Sequence, residues 1–256
     1  MSPAFLMKRF VLFIATAAQA LPQTAPPSKA FIDELVLANH ILANEEVVDG
    51  YGHVSVRSPN NPNHYFLARA GAPLLVTAAD IVEYDLDSNA VTPGAASGYL
   101  ERFIHGEIYK ARPDVMAVVH CHCPEVIPFA DTSVPLQPMH HMGGFIGAGV
   151  PVFEIRKAAG ETDMLIRNGA LGRALAQSLG DKSAALMRGH GAAVVAPALH
   201  LVVGRAYYLN LNARLQLQAI QLGGSKVTYL DAEESKQANT DFERSWDAWK
   251  FKVTRK

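Results

Sequence analysis

Apolar residues recur along this chain at two spacings, and the spacing assigns most of its elements. Phe31, Ile32, Leu35, Ala38, Ile41 and Leu42 repeat at helical intervals behind Ser28, which can cap the helix start. "GHVSVR" (52–57) alternates like a strand, and "YFLAR" (65–69) reads as its hairpin partner across the loop "SPNNPN". "PLLVTAADIVEYDLDSNAV" predicts a short strand, a turn at Asp80 and a second strand. A helix is expected from Tyr99 to Ala111, stopped by Pro113. "VMAVVHCH" (115–122) is a buried strand, and Pro124 opens a short helix after it. "VPVFEIR" is a strand, and 162–180 is a helix with Leu165, Leu171, Leu175 and Leu179 on one side and Gly180 at its end. "AALMRGHGAAVVA" gives two short strands around a Gly-His-Gly turn. A long helix from 198 ends at Gly223 and Gly224, and the tail 231–256 predicts one more, with Phe242, Trp246 and Trp249 on its apolar side. No repeat or linker interrupts the chain after residue 30, so one mixed α/β domain over 30–256 is expected.

With 256 residues, 49% of them hydrophobic and 18% charged, the chain can bury a full core. A net charge of −1 leaves no basic excess for nucleic acid or an anionic membrane, so neither is expected as a partner. Residues 1–20 differ from the rest. Lys8 and Arg9, the apolar stretch Phe10–Ala18 and the "AQA" ending at Ala20 match a secretory signal peptide, followed by a Pro-rich lead-in at 21–29. Cleavage there would make the protein secreted or periplasmic; otherwise it is cytoplasmic. Cys121 and Cys123 lie two apart on a strand, a geometry that suits a disulfide poorly, so both are expected as small buried apolar groups.

Ten histidines suggest metal or proton chemistry. Residues two apart on a strand share a face, so His120 and His122 project together, as two ligands of one metal must. Such pairs also arise by chance. A third ligand would decide, and the candidates are His190 between its two glycines, His105, His140, His141 and His53. Glu101, near a helix N-terminus that favours its charged form, could pack back beside His120 and His122. Three imidazoles and a carboxylate would make a Lewis-acid centre with a base.

"LERFIHGEIYKARPDVMAVVHCH" together with "LMRGHGA" resembles the class II aldolase/adducin family: Glu101, His105, Tyr109, Arg112-Pro113-Asp114, His120 and His122, then the distant His190. The resemblance covers about residues 30 to 225. It implies that His120, His122 and His190 bind one divalent metal ion per subunit, zinc, manganese or iron, with Glu101 as catalytic acid/base. It also implies a single three-layer α/β/α domain on a mostly antiparallel sheet, and a homotetramer with sites at subunit borders.

The chain departs from the sugar-phosphate aldolases of that family where they grip phosphate. His53 stands where Asn is expected, "ASGYLE" replaces Ser-Ser-Glu, and "LLVTAADI" replaces a Thr-Pro-Ser-Gly turn. A phosphate needs several convergent amides or hydroxyls, so a phosphorylated sugar is an unsuitable substrate. Arg188 could instead bind a carboxylate in bidentate fashion, with His140 or His141 as proton donor or carboxylate partner and His53 among the substrate contacts. Tyr207 and Tyr208 belong either to the core or to a neighbouring subunit's site. Residues 69–81, "PMHHMGGFIG" (138–147) and "LMRGHGA" are similar to the branch of metal-dependent decarboxylases of aromatic catabolism. The expected function is a carbon–carbon lyase, a decarboxylase or retro-aldolase, acting on a small unphosphorylated hydroxy or oxo carboxylic acid through an enolate. The alternatives are a sugar aldolase, a non-haem iron oxygenase on aryl oxo acids, and a non-catalytic adducin-like scaffold.

Overall fold

The computed structural model describes residues 26–92 and 94–255; the leader read at 1–20 and residues 21–25 of the lead-in lie outside them. Helix α1 (Lys29–Asn44) starts where Ser28 Oγ accepts from the Phe31 N–H at 3.2 Å, and it buries Leu35, Ala38, Ile41 and Leu42. Strands β1 (His53–Arg57) and β2 (His64–Ala68) form the expected hairpin. The next segment differs from expectation. Instead of a strand, two 3-10 turns, Pro73–Leu75 and Ala78–Asp80, lead into β3 (Ile81–Asp85). Pro73 has no N–H for a ladder, and the Asp80 carboxylate takes the Thr77 N–H and hydroxyl, closing the turn locally.

A 3-10 turn at Leu100–Arg102 precedes α2 (Phe103–Ala111), with the helix broken at Glu101 itself (φ −92°, ψ 16°). Then come β4 (Ala117–Cys121), α3 (Ile127–Asp131), β5 (Val152–Phe153), α4 (Arg156–Ala159) and α5 (Gly169–Leu179). Helix α5 begins at Gly169 rather than Thr162, because Met164 has positive φ (73°) and Asn168 Oδ1 caps the helix by accepting from the Leu171 N–H. Strands β6 (Ala184–Met187) and β7 (Gly191–Ala196) flank the Gly-His-Gly turn, and α6 (Leu199–Gly223) follows. The tail is two helices, α7 (Ala232–Gln237) and α8 (Glu243–Thr254), separated by Phe242 in the left-handed region (φ 59°).

Among the described residues seven strands make one sheet in the order β3-β2-β1-β4-β7-β6-β5, antiparallel throughout except for β5 beside β6. Side chains alternate across it. Val54, Val119, Cys121 and Val194 join a core under α1, α6 and α8. Val118, Val195 and Tyr65 join a second core under α2 and α5. Two cores on opposite faces define the three layers expected. Among the described residues no helix is long and apolar enough to cross a membrane.

Cys121 and Cys123, both fully buried, are disulfide-bonded, with Cα atoms 5.3 Å apart. Free thiols were the expectation for an extended chain, where residues two apart are separated by about 6.6 Å. Strand β4 ends at Cys121, and the bend beyond it brings Cys123 back within disulfide range.

Gly191 opens β7 against β4, so close that a Cβ there would sit on the Cys121 carbonyl. Gly191→Ala should therefore cost about 3 kcal/mol through displaced backbone. Urea unfolding of the variant beside the parent measures it; an unchanged midpoint would refute this reading of the contact.

Candidate metal centre

The sheet delivers three imidazoles to one point. His120 near the end of β4 and His122 just beyond it face the α2/α5 side together. His190 comes from the β6–β7 turn, held by its own N–H donating to Met187 O at 3.0 Å. Their Nε2 atoms stand 3.3 Å (His120–His122) and 3.1 Å (His122–His190) apart. Glu101 Oε2 lies 3.5 Å from His120 Nε2 and 3.4 Å from His190 Nε2. The four ligand atoms all fall within 4.8 Å of one another.

What each ring does with its other nitrogen fixes its tautomer. His120 Nδ1 faces Ala192 O at 3.1 Å, and His190 Nδ1 faces Met164 O at 3.1 Å. A carbonyl oxygen only accepts, so both Nδ1 atoms carry hydrogen. His122 Nδ1 faces the Asp49 carboxylate at 3.0 Å. Burial would raise the Asp49 carboxyl, but the N–H groups of Tyr51 and Gly52, together with His122, hold it below its usual range, so it too accepts. In neutral rings, then, all three Nε2 atoms present lone pairs to one another. Lone pairs at this separation repel unless a cation lies among them. A tetrahedral ion with nitrogen bonds of about 2.0–2.1 Å would itself set its nitrogens about 3.4 Å apart. Burial depresses the His120 imidazole and so disfavours protonation as the way out. The donor set of three imidazole nitrogens and a carboxylate oxygen fits a divalent zinc, iron or manganese ion.

Glu101 is buried, and its position follows from the break in the backbone noted above. Its Oε1 accepts from the Ile166 N–H at 2.8 Å, which leaves Oε2 turned to the histidines. Burial alone would raise this carboxyl; contact with His120 and His190 outweighs that and keeps it well below the usual carboxylate range. The loop 162–168, expected as helix, therefore serves the site twice, through Met164 O and Ile166 N–H.

The other candidates lie elsewhere. His53, opposite His120 in the β1–β4 register, is buried and bonded to His105 rather than joined to the four. His105, offered as a third ligand, is likewise outside the cluster. His140 and His141 sit at a 3-10 turn, 6.0 Å apart by ring centres, with His140 6.0 Å from Tyr208 on α6. Tyr208 in turn packs on Phe242 and Trp249. Arg188 Nε pairs with Glu154 at 2.6 Å, and Glu154 also pairs with Arg156 at 2.7 Å. Asp49 was missed from the sequence; only the pairing of β1 with β4 brings the "DGYG" loop beside His122. Asp49→Ala should weaken metal affinity roughly 10–100-fold by freeing that ring. Competition against a chromophoric chelator measures the shift, and unaltered affinity would exclude Asp49 from orienting the ligand.

Residues 33–217 match the family model of the Class II Aldolase and Adducin N-terminal domain, and the chain belongs to this family. It is 40% identical over 212 residues to Decarboxylase tropJ of Talaromyces stipitatus, covering 78% of this chain and 80% of that protein. It is 29% identical over 218 residues to 3,4-dihydroxyphthalate decarboxylase of Arthrobacter keyseri, covering 78% and 83%. Among solved structures, an aldolase II superfamily protein from Pseudomonas syringae superposes with a TM-score of 0.75 over 93% of this chain and 95% of that one, at 22% identity, a likeness of fold.

Proposed function

We propose that the protein is a divalent-metal-dependent decarboxylase of a small, unphosphorylated hydroxy or oxo carboxylic acid, aromatic in class. The observation that carries this is the convergence of three imidazole lone pairs beside a buried carboxylate. The likeness to two decarboxylases and the altered phosphate grip around His53 support the choice of reaction and substrate. A homo-oligomer, tetrameric as the family resemblance implies, would be the working form.

His120, His122 and His190 would hold the ion, which when bound stabilises negative charge developing on substrate oxygen. Glu101 does the proton work. Its Oε2 takes the proton of the substrate hydroxyl, and the bond to the carboxylate carbon breaks, leaving its electron pair on the substrate. The same Oε2 then returns the proton to that carbon as CO2 leaves. The Ile166 N–H keeps Oε1 fixed, so Oε2 does not have to search for its position. Arg188 would bind the departing carboxylate only by exchanging its contact with Glu154.

The test is release of CO2 from ortho-hydroxy aromatic acids by metal-loaded protein, with and without oxygen. One CO2 per acid consumed, unaffected by removing O2, is expected. The same donor set suits Fe(II), so CO2 that appears only in air would replace this reading with an oxygenase. Release of an aldehyde, or cleavage of a sugar phosphate, would replace it with an aldolase.

A further inference from the structure

Behind the metal centre runs a buried chain of hydrogen bonds that the chemistry above does not use. Tyr109 OH lies 2.8 Å from Ser55 Oγ. Ser55 Oγ lies 2.6 Å from His105 Nδ1, and His105 Nε2 lies 2.7 Å from His53 Nδ1. His53, Ser55, His105 and Tyr109 are all essentially inaccessible to solvent. Each link has room for one hydrogen, so the polarity of one link fixes that of the rest.

The far end sets that polarity. The Tyr109 hydrogen must find an acceptor in a buried place, and among the described residues Ser55 Oγ is the one within reach. Ser55 thus accepts from Tyr109 and gives its own hydrogen to His105 Nδ1. That leaves the His105 hydrogen on Nε2, donated to His53 Nδ1, and the His53 hydrogen on Nε2. In each ring one nitrogen accepts and the other carries the single hydrogen, so both imidazoles are neutral.

His53 shares a sheet face with His120, directly across the β1–β4 pair, with ring centres 5.1 Å apart. Its Nε2 makes no hydrogen bond among the described residues. We propose that the Tyr109–Ser55–His105 chain locks His53 as the Nε2–H tautomer, making it a fixed, uncharged donor beside the metal centre that binds a carboxylate oxygen of the substrate. Ser55, His105 and Tyr109 are then positioning residues acting through His53. The substrate class rests on the decarboxylase reading; the lock does not. A neutral donor suits this place, because a second permanent cation beside the metal would oppose its binding, whereas an N–H still rewards an anionic oxygen.

Two measurements test it. In zinc-loaded protein with 15N-labelled histidine, long-range proton–nitrogen spectra separate protonated from lone-pair ring nitrogens, with His53→Asn and His105→Asn spectra giving the assignments. Both His53 and His105 should show protonated Nε2 and bare Nδ1, and Tyr109→Phe should mix the tautomers of both. Protonated Nδ1 on His53 in the parent overturns the lock. Because no substrate is present, this result stands whatever reaction the protein catalyses. Next, in the Glu101→Gln background, which should keep the metal and slow turnover, titration calorimetry compares 2,3-dihydroxybenzoate with catechol, which lacks the carboxylate. His53→Ala and Tyr109→Phe should each weaken the acid about tenfold or more and leave catechol unchanged, while His53→Asn, which keeps an N–H, should recover part of the loss. Equal weakening of both probes, no effect on the acid, or an acid that does not bind the Glu101→Gln protein itself overturns the substrate role.

Discussion

His190→Ala should strip the metal from the protein and reduce turnover by about a thousandfold or more, while the fold persists. Two nitrogens and a carboxylate would remain, too few to hold a divalent ion against chelation in the three-histidine manner. The loss of Lewis-acid stabilisation, worth several kcal/mol, converts to three or more powers of ten in rate. The fold should survive because the turn does not depend on the ring. The backbone N–H of residue 190 bonds to Met187 O, and the Gly189 N–H bonds to Asp131 Oδ1 at 2.7 Å. Among the described residues the imidazole itself contacts the other three site residues and, beyond them, hydrogen-bonds to Met164 O. Elemental analysis, thermal unfolding by circular dichroism and the CO2 assay together read the result. A variant that keeps both metal and rate would remove His190 from the centre, and with it the ligand supplied by the β6–β7 turn.

Glu101→Gln should give the opposite split: metal retained, kcat lowered by about 10²–10⁴-fold. Glutamine is nearly the same shape, and its carbonyl oxygen can still accept from the Ile166 N–H. What it cannot do is carry a proton from hydroxyl to carbon. The affinity for the ion should change little, since the three imidazoles keep their partners at Ala192 O, Asp49 and Met164 O. The pair of variants thus separates holding the ion from moving the proton. Full turnover by the glutamine variant would assign the proton to another group; loss of the metal would make Glu101 a ligand first.

Much of this site was legible in the sequence because strand periodicity is strict. His120 and His122 had to share a face once 115–122 was a strand; β4 carries His120, and His122, one residue past its end, still turns to the same point. The glycines around His190 announced a turn that frees a side chain. What escaped was whatever depends on the loops. Residues 99–111 space their apolar groups like one helix, yet the backbone leaves the helix at Glu101, and that departure is what turns the carboxylate inward. Residues 162–168 carry helical spacing through Leu165, but their backbone groups are taken by His190 and Glu101, a tertiary demand that local spacing does not encode. Asp49 lies in a loop, where no period exists, and only the register of β1 on β4 places it beside His122. Arg188 looked available for a carboxylate, but its partner Glu154 follows β5, the strand whose parallel neighbour β6 ends beside Arg188. The cysteines were judged on extended geometry that stops one residue too soon. The doublet His140-His141 told nothing of depth or direction, and the chain seats it beside α6 rather than among the four.

The most direct measurement is the metal content of the parent protein after dialysis against a limited excess of zinc or manganese and removal of loose ions. The lone-pair geometry predicts one divalent ion bound per chain, with uptake abolished in His190→Ala. Equal uptake by parent and variant, or none by either, would contradict it.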